Sequence, residues 1–153
     1  PGTGRAAEVG GAGAHGLTVN VPLPPGTTGD AARLAMEKVV APAAESFLPD
    51  WLLISAGFDA HRDDPLADLA WTAGDFADLT RDASSLLPRP GRTVAFLEGG
   101  YDLGALALSS AATVAALMGV SYRPEAPSAG GPGFEAVLAA GRIRERQLNA
   151  ARQ

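Results

Sequence analysis

Two short clusters in this chain have the residue types and spacing that chemistry needs: Asp59-Ala60-His61-Arg62-Asp63-Asp64 and Glu98-Gly99-Gly100-Tyr101-Asp102. An ionised Asp59 is an oxygen ligand for zinc or for a harder cation. Equally, an Asp in a loop caps a turn or pairs with a nearby guanidinium such as Arg62. His61, two residues on, offers an Asp-x-His chelating pair, or else a surface or supporting histidine. In the second cluster, Gly99 and Gly100 permit positive φ and close backbone approach to a ligand. Tyr101 then sits on a hinge. A phenol, with a reference pKa of about 10, keeps its proton near neutral pH and can donate to a developing oxyanion. The alternative is a tyrosine packed half-buried at a strand end.

Other chemistries find little support. The chain has 153 residues and no cysteine, so there is no thiolate nucleophile, disulfide or thiolate metal site. No Gly-x-Ser-x-Gly elbow offers a serine nucleophile. Asp63, Asp64 and Asp68 lack the ligand spacing and bidentate Glu of a calcium loop and read as solvated surface with helix capping. The glycines at 10–16 follow no strand and are not a dinucleotide fingerprint. Nucleophilic catalysis is thus poorly supported, and metal-assisted hydrolysis is the better class.

The elements that must position these clusters can be read from periodicity. Leu17–Leu23 alternates apolar and polar residues and reads as a short strand. After a Pro/Gly turn, a helix starts near Asp30 and runs through Leu34, Val39 and Val40; Pro42 should kink or split it before Phe47. Trp51–Gly57 and Thr93–Leu97 are unbroken apolar runs, the signature of parallel strands buried on both faces. Helices follow each, over about Gly74–Leu87 and Leu103–Met118, the latter closed by Gly119. Residues 121–133 form a linker, and 134–153 a final amphipathic helix. Strand–loop–helix repeated twice is an α/β pattern. Ligands in such sheets bind beyond the carboxyl ends of the strands, so neighbouring strands would bring both clusters to one crevice.

The net charge is −5 with 46% hydrophobic residues, a globular composition without the basic stripe that nucleic acid demands. No apolar run reaches membrane-spanning length, and no signal peptide is visible, so a cytoplasmic location is expected. The Gly- and Ala-rich, Arg-over-Lys composition suggests a high-GC bacterial source. Because Pro1–Gly16 is loop composition, the chain reads as a piece cut inside a larger fold.

Ile54–Leu66 closely resembles the segment that carries the third zinc ligand in class II-like and bacterial members of the histone deacetylase family. Leu97-Glu98-Gly99-Gly100-Tyr101-Asp102-Leu103 is similar to the segment with that family's catalytic tyrosine, and Asn20-Val21-Pro22-Leu23 followed by Gly26 and Asp30 to the segment just upstream. The order and gaps match over roughly 1–120. The resemblance implies the C-terminal part of a three-layer α/β/α, arginase/deacetylase-like fold with a mostly parallel sheet. It implies Zn2+ as cofactor, Asp59 as a metal ligand, Tyr101 as the catalytic hydroxyl, and Leu66, Gly99 and Gly100 as the lining of the acyl-lysine channel. His61 matches a common motif residue, not a ligand.

The implied reaction is hydrolysis of the acetyl amide of acetyl-lysine in proteins, by zinc-activated water with Tyr101 stabilising the oxyanion. Acetylpolyamines or other small acetylated amines are the alternative substrates, and a truncated non-catalytic remnant the alternative of another class. The family's tandem histidines and its Asp-x-His zinc pair have no counterpart in 1–153, and His15 stands alone. The chain by itself is therefore expected to be inactive.

Overall fold

A computed structural model describes residues 4–11, 13–87 and 89–150. The chain begins with loop and extended segments and continues into α1 (Gly29–Ala35), a π-helical turn (Met36–Val40) and α2 (Ala41–Phe47). Then follow β1 (Leu52–Gly57), α3 (Ala73–Ser85), β2 (Thr93–Gly99), α4 (Leu103–Leu117) and α5 (Phe134–Ala150). None of the described helices is long and apolar enough to cross a membrane.

The two strands pair in parallel, with Leu52 opposite Thr93 and Ser55 opposite Phe96. Their register slips between Ala56 and Gly57, so Gly57 lies opposite Gly99. This β1–α3–β2–α4 order is the α/β arrangement the apolar runs suggest. One expectation about it is corrected, however. The strands are not buried on both faces, because Leu53 and Phe96, which share one face of the sheet, are more than half exposed. An unbroken apolar run reports the cover a strand is suited to, and here one face of the sheet has none among the described residues.

Residues 17–23 form no strand. Val19, Val21 and Leu23 instead pack on a cluster made by Ala35 and Val39 of the first helical stretch and Val137 of α5. Alternation signals extended chain buried on one side, and it is met here by helix packing without a hydrogen-bonded partner strand. The Pro42 expectation holds in a specific form. The helix widens into a π turn just before the proline, which relieves the crowding of its ring against the preceding turn, and continues as α2.

Helices α3 and α4 meet through small side chains, Ala73 and Ala77 against Ala112 and Ala116, which allows close packing. The end of α4 is a Schellman motif: Val120 N–H donates to Ala115 O (2.8 Å) and Gly119 N–H to Ala116 O (3.1 Å). At the start of α3 the fully buried Asp75 carboxylate accepts the Thr72 N–H (2.9 Å), the Ser128 hydroxyl (2.6 Å) and Arg33 Nη1 of α1 (2.6 Å). Three segments distant in sequence thus share one carboxylate. The stretch 121–133 runs as a strap across the starts of α1 and α3, held also by Arg123 to Asp78, Thr72 Oγ1 to Ala126 O (2.8 Å) and Gly130 N–H to Asp30 (2.9 Å).

Replacing Asp75 by Ala orphans buried donors on α3 and the strap. It is expected to destabilise the protein by on the order of 3 kcal/mol in chemical denaturation. A loss below about 0.5 kcal/mol, typical of an unimportant surface change, overturns this account of the hub.

Candidate active site

The loop after β1 is built as a series of tight closures. His61 N–H donates to Phe58 O (3.1 Å) and Asp64 N–H to His61 O (2.9 Å), so Asp59 lies inside a turn from Phe58 to His61. A short parallel bridge joins His61 to Trp71, with Arg62 N–H on Trp71 O (2.9 Å) and Trp71 N–H on Ala60 O (3.1 Å). Beneath the turn, Phe76 stands edge-on to both Phe58 (5.1 Å) and Trp71 (5.4 Å), an arrangement the ring quadrupoles favour.

This loop and the one after β2 meet directly. Phe58 N–H donates to Gly99 O (2.8 Å). A Cβ added at Gly57 or at Gly99 would stand 2.7 Å from Asp59 Oδ1, so only glycines leave room for that carboxylate between the strand ends. Gly100 takes φ +121°, and a Cβ there would press on Phe58 Cβ at 3.0 Å. Of the two glycines read as permissive, one accommodates the carboxylate and the other makes the bend.

Among the described residues no donor or cation pairs with the Asp59 carboxylate, which is neither fully buried nor fully exposed. Arg62, its expected alternative partner, goes to Glu125 instead (2.5 Å). Tyr101 and Leu66 are exposed, at 58% and 70%. The structure thus brings Asp59 against Gly99, packs Gly100 on Phe58 beside it, and carries the chain directly on to Tyr101. Leu66 belongs to the same surface through a shared backbone anchor.

That anchor is Asp64, which the sequence reading placed on the solvated surface. It is only 8% exposed. Its Oδ2 accepts the Tyr101 N–H (2.7 Å) and its Oδ1 the Leu66 N–H (2.9 Å), so one carboxylate ties the two loops together. Burial acts to raise its pKa, but the backbone N–H groups of Tyr101, Leu66, Ala67 and Asp102 outweigh burial and hold it below the usual carboxylate value. Asp102 in turn caps α4, accepting the Ala105 N–H at 2.7 Å.

His61 is 1% exposed and makes no pair with Asp59. Asp63 N–H points at its Nδ1 (3.2 Å), so that nitrogen accepts and Nε2 carries the hydrogen given to Glu125 (2.8 Å). Burial also works against the charge on Glu125. The Ala73 amide, His61 and Arg62 prevail and lower its pKa. Neither Asp64 nor Glu125 has a local signal in the sequence beyond being acidic. The close spacing of Asp64 to an Asp in a strand-end loop is the one hint.

As to what the site could hold, Asp59 fits a metal ligand: an unpaired carboxylate in a gap cleared by two glycines. The described residues include no group of three or more His, Cys, Asp or Glu able to hold a metal ion. Asp59 can therefore supply one donor of a larger set.

Because the Asp64 pKa is lowered on folding, its stabilising effect is complete above roughly pH 4 and is lost as pH falls through the folded value. Asp64→Asn is expected to lower amide-exchange protection at Tyr101 and Leu66 by about tenfold, as loss of a charge-assisted acceptor should. Wild-type protection at the same two amides should fall on acidification. Unchanged protection in the variant contradicts the anchor.

A profile of the histone deacetylase domain matches residues 1–117. Over 122 residues the chain is 48% identical to the rice protein "Histone deacetylase 10, chloroplastic", covering 78% of this chain and 27% of that one. It is 40% identical to a "Probable deacetylase" of Archaeoglobus fulgidus, covering 78% and 34% respectively. It thus spans about a third or less of the curated relatives it matches. The solved HDA15 HD domain superposes with a TM-score of 0.81 at 37% identity, over 95% of this chain and 39% of that one. The histone deacetylase Clr3 gives 0.84 at 28% identity, over 94% and 24%. The chain belongs to the histone deacetylase family and has its α/β fold.

Proposed function

We propose that this chain contributes one zinc ligand, Asp59, and the oxyanion donor, Tyr101, to hydrolysis of the acetyl amide of acetyl-lysine. The observation that carries the reading is the junction of the two strand-end loops. An unpaired carboxylate and a tyrosine on a glycine hinge are held together by Phe58 to Gly99 and by Asp64. Membership of a deacetylase family supports the reaction class. The remaining ligands and the general base belong to the part of the family domain that this chain does not span. A single carboxylate cannot hold zinc with useful affinity, so we also propose that residues 1–153 alone are inactive.

A bound zinc ion supplies Lewis acidity toward the acetyl carbonyl and water. The chain's own residues do the rest of their part by position. Tyr101, exposed beside the strand ends, is free to give its hydroxyl hydrogen to the oxygen that gains charge as the amide is attacked. Gly99 and Gly100 would line the acyl channel beside it with backbone, Gly99 leaving room for the Asp59 carboxylate. Leu66 offers exposed apolar surface from the opposite loop, suited to the methylene stem of an acylated lysine. That pairing of an apolar wall with a polar end is our reason for preferring a lysine-like amine as substrate.

In the protein carrying the complete domain, chelator treatment is expected to abolish release of acetate from an acetyl-lysine peptide, with zinc restoring it. Tyr101→Phe should lower kcat by about two to three orders of magnitude, as removal of an oxyanion donor does, with KM changed little. Asp59→Ala should lose zinc. A Tyr101→Phe enzyme within a few-fold of wild type refutes the role of the phenol; chelator-resistant activity refutes the metal.

A further inference from the structure

Glu125 lies beyond residue 117, where the family match ends, yet its carboxylate reaches back to the loop of the proposed zinc ligand. Oε2 accepts the His61 Nε2–H (2.8 Å) and the Ala73 N–H (2.8 Å), and Oε1 accepts from Arg62 (2.5 Å). Ala73 is the first residue of α3, so its N–H has no partner within the helix. We infer that Glu125 is a positioning residue for Asp59: it fixes the back of the Phe58–His61 turn, as the bond from Phe58 to Gly99 fixes its front. This rests on the reading of Asp59 as a metal ligand.

Two observations separate positioning from simple attachment of the strap. First, the strap has other fastenings: Arg123 to Asp78, Ala126 to Thr72, Ser128 to Asp75 and Gly130 to Asp30. None of these touches the Phe58–His61 turn that carries Asp59, so Glu125 is not needed merely to hold the strap down. Second, the clamp spans consecutive residues. His61, with almost no exposed surface, cannot swing away, and Arg62 closes the other carboxylate oxygen from outside. With Glu125 in place the side chains of His61 and Arg62 are both tied down; without it, the back of the turn keeps only its backbone bonds, chiefly the bridge to Trp71. Such outer partners orient a ligand before the metal arrives, and their loss weakens metal binding about 10–100-fold.

The test measures zinc affinity by chelator competition, together with melting temperature, in the protein carrying the complete domain. Glu125→Gln keeps the side-chain length, but its amide offers one oxygen where two are used and points a donor at Arg62 or His61. It is expected to weaken zinc binding by about tenfold or more. Arg62→Ala removes only the half-exposed arm, endangers no core, and should weaken zinc binding a few-fold. Ser128→Ala, which loosens the strap at Asp75, should lower the melting temperature with zinc affinity unchanged. The inference is overturned if Glu125→Gln and Arg62→Ala bind zinc like wild type, or if Ser128→Ala weakens zinc as much as Glu125→Gln. A wild-type protein that takes up no zinc refutes the deacetylase reading itself, and this inference with it.

Discussion

The buried Asp75 carboxylate is the constraint that ties α1, the head of α3 and the strap into one unit. It takes the Thr72 amide at the head of α3, a guanidinium from α1 and the Ser128 hydroxyl from the strap. A Cβ on Gly29 would stand 1.8 Å from Asp75 Oδ1, so α1 must begin with glycine for this contact to exist. Without the hub, the strap loses its central fastening, and α1 loses its tie to the head of α3. Buried charge is retained only where donors surround it. Here the donors come from three segments separated by tens of residues, which makes one carboxylate a constraint on tertiary structure and not on a single turn.

The same device recurs at the site on a smaller scale. Asp64 joins the β1 and β2 loops through backbone N–H groups, and Glu125 joins the β1 loop to the strap through side chains and one amide. Backbone donors fix the chain path, whereas side-chain donors fix orientation. The difference suits the two jobs. In the roles proposed for them, Tyr101 needs its Cα placed and its ring left free at the surface, while the turn holding Asp59 needs to be prevented from rotating.

This division explains what was legible in the sequence. The strands and α3, α4 and α5 follow from apolar runs and periodicity, and the glycines at the strand ends announce a close approach. Asp59 and Tyr101 stood out because loops after parallel strands are where function sits. The alternation at 17–23 misled because it encodes burial, which helices supplied as readily as a partner strand. Asp64 was read as surface because acidic loop residues usually are, and nothing local distinguishes a carboxylate that meets four amides from one that meets water. Glu125 lies 64 residues from His61, a separation no periodicity bridges.

The role proposed for Asp59, as a metal ligand, shows why such supports have to lie outside the carboxylate. A partly exposed carboxylate that no donor or cation meets among the described residues keeps part of its solvation, which leaves it open to a cation. The same freedom from partners means that nothing attached to the carboxylate can aim it. Orientation must come from the backbone on either side and from the glycine gap it occupies. A donor set divided between this chain and residues elsewhere in the family fold sharpens the requirement. Each ligand has to be in place before the ion can bind to all of them, because no subset binds strongly enough to gather the others. The anchors at Gly99 in front and Glu125 behind hold the turn by contacts that do not involve the Asp59 carboxylate.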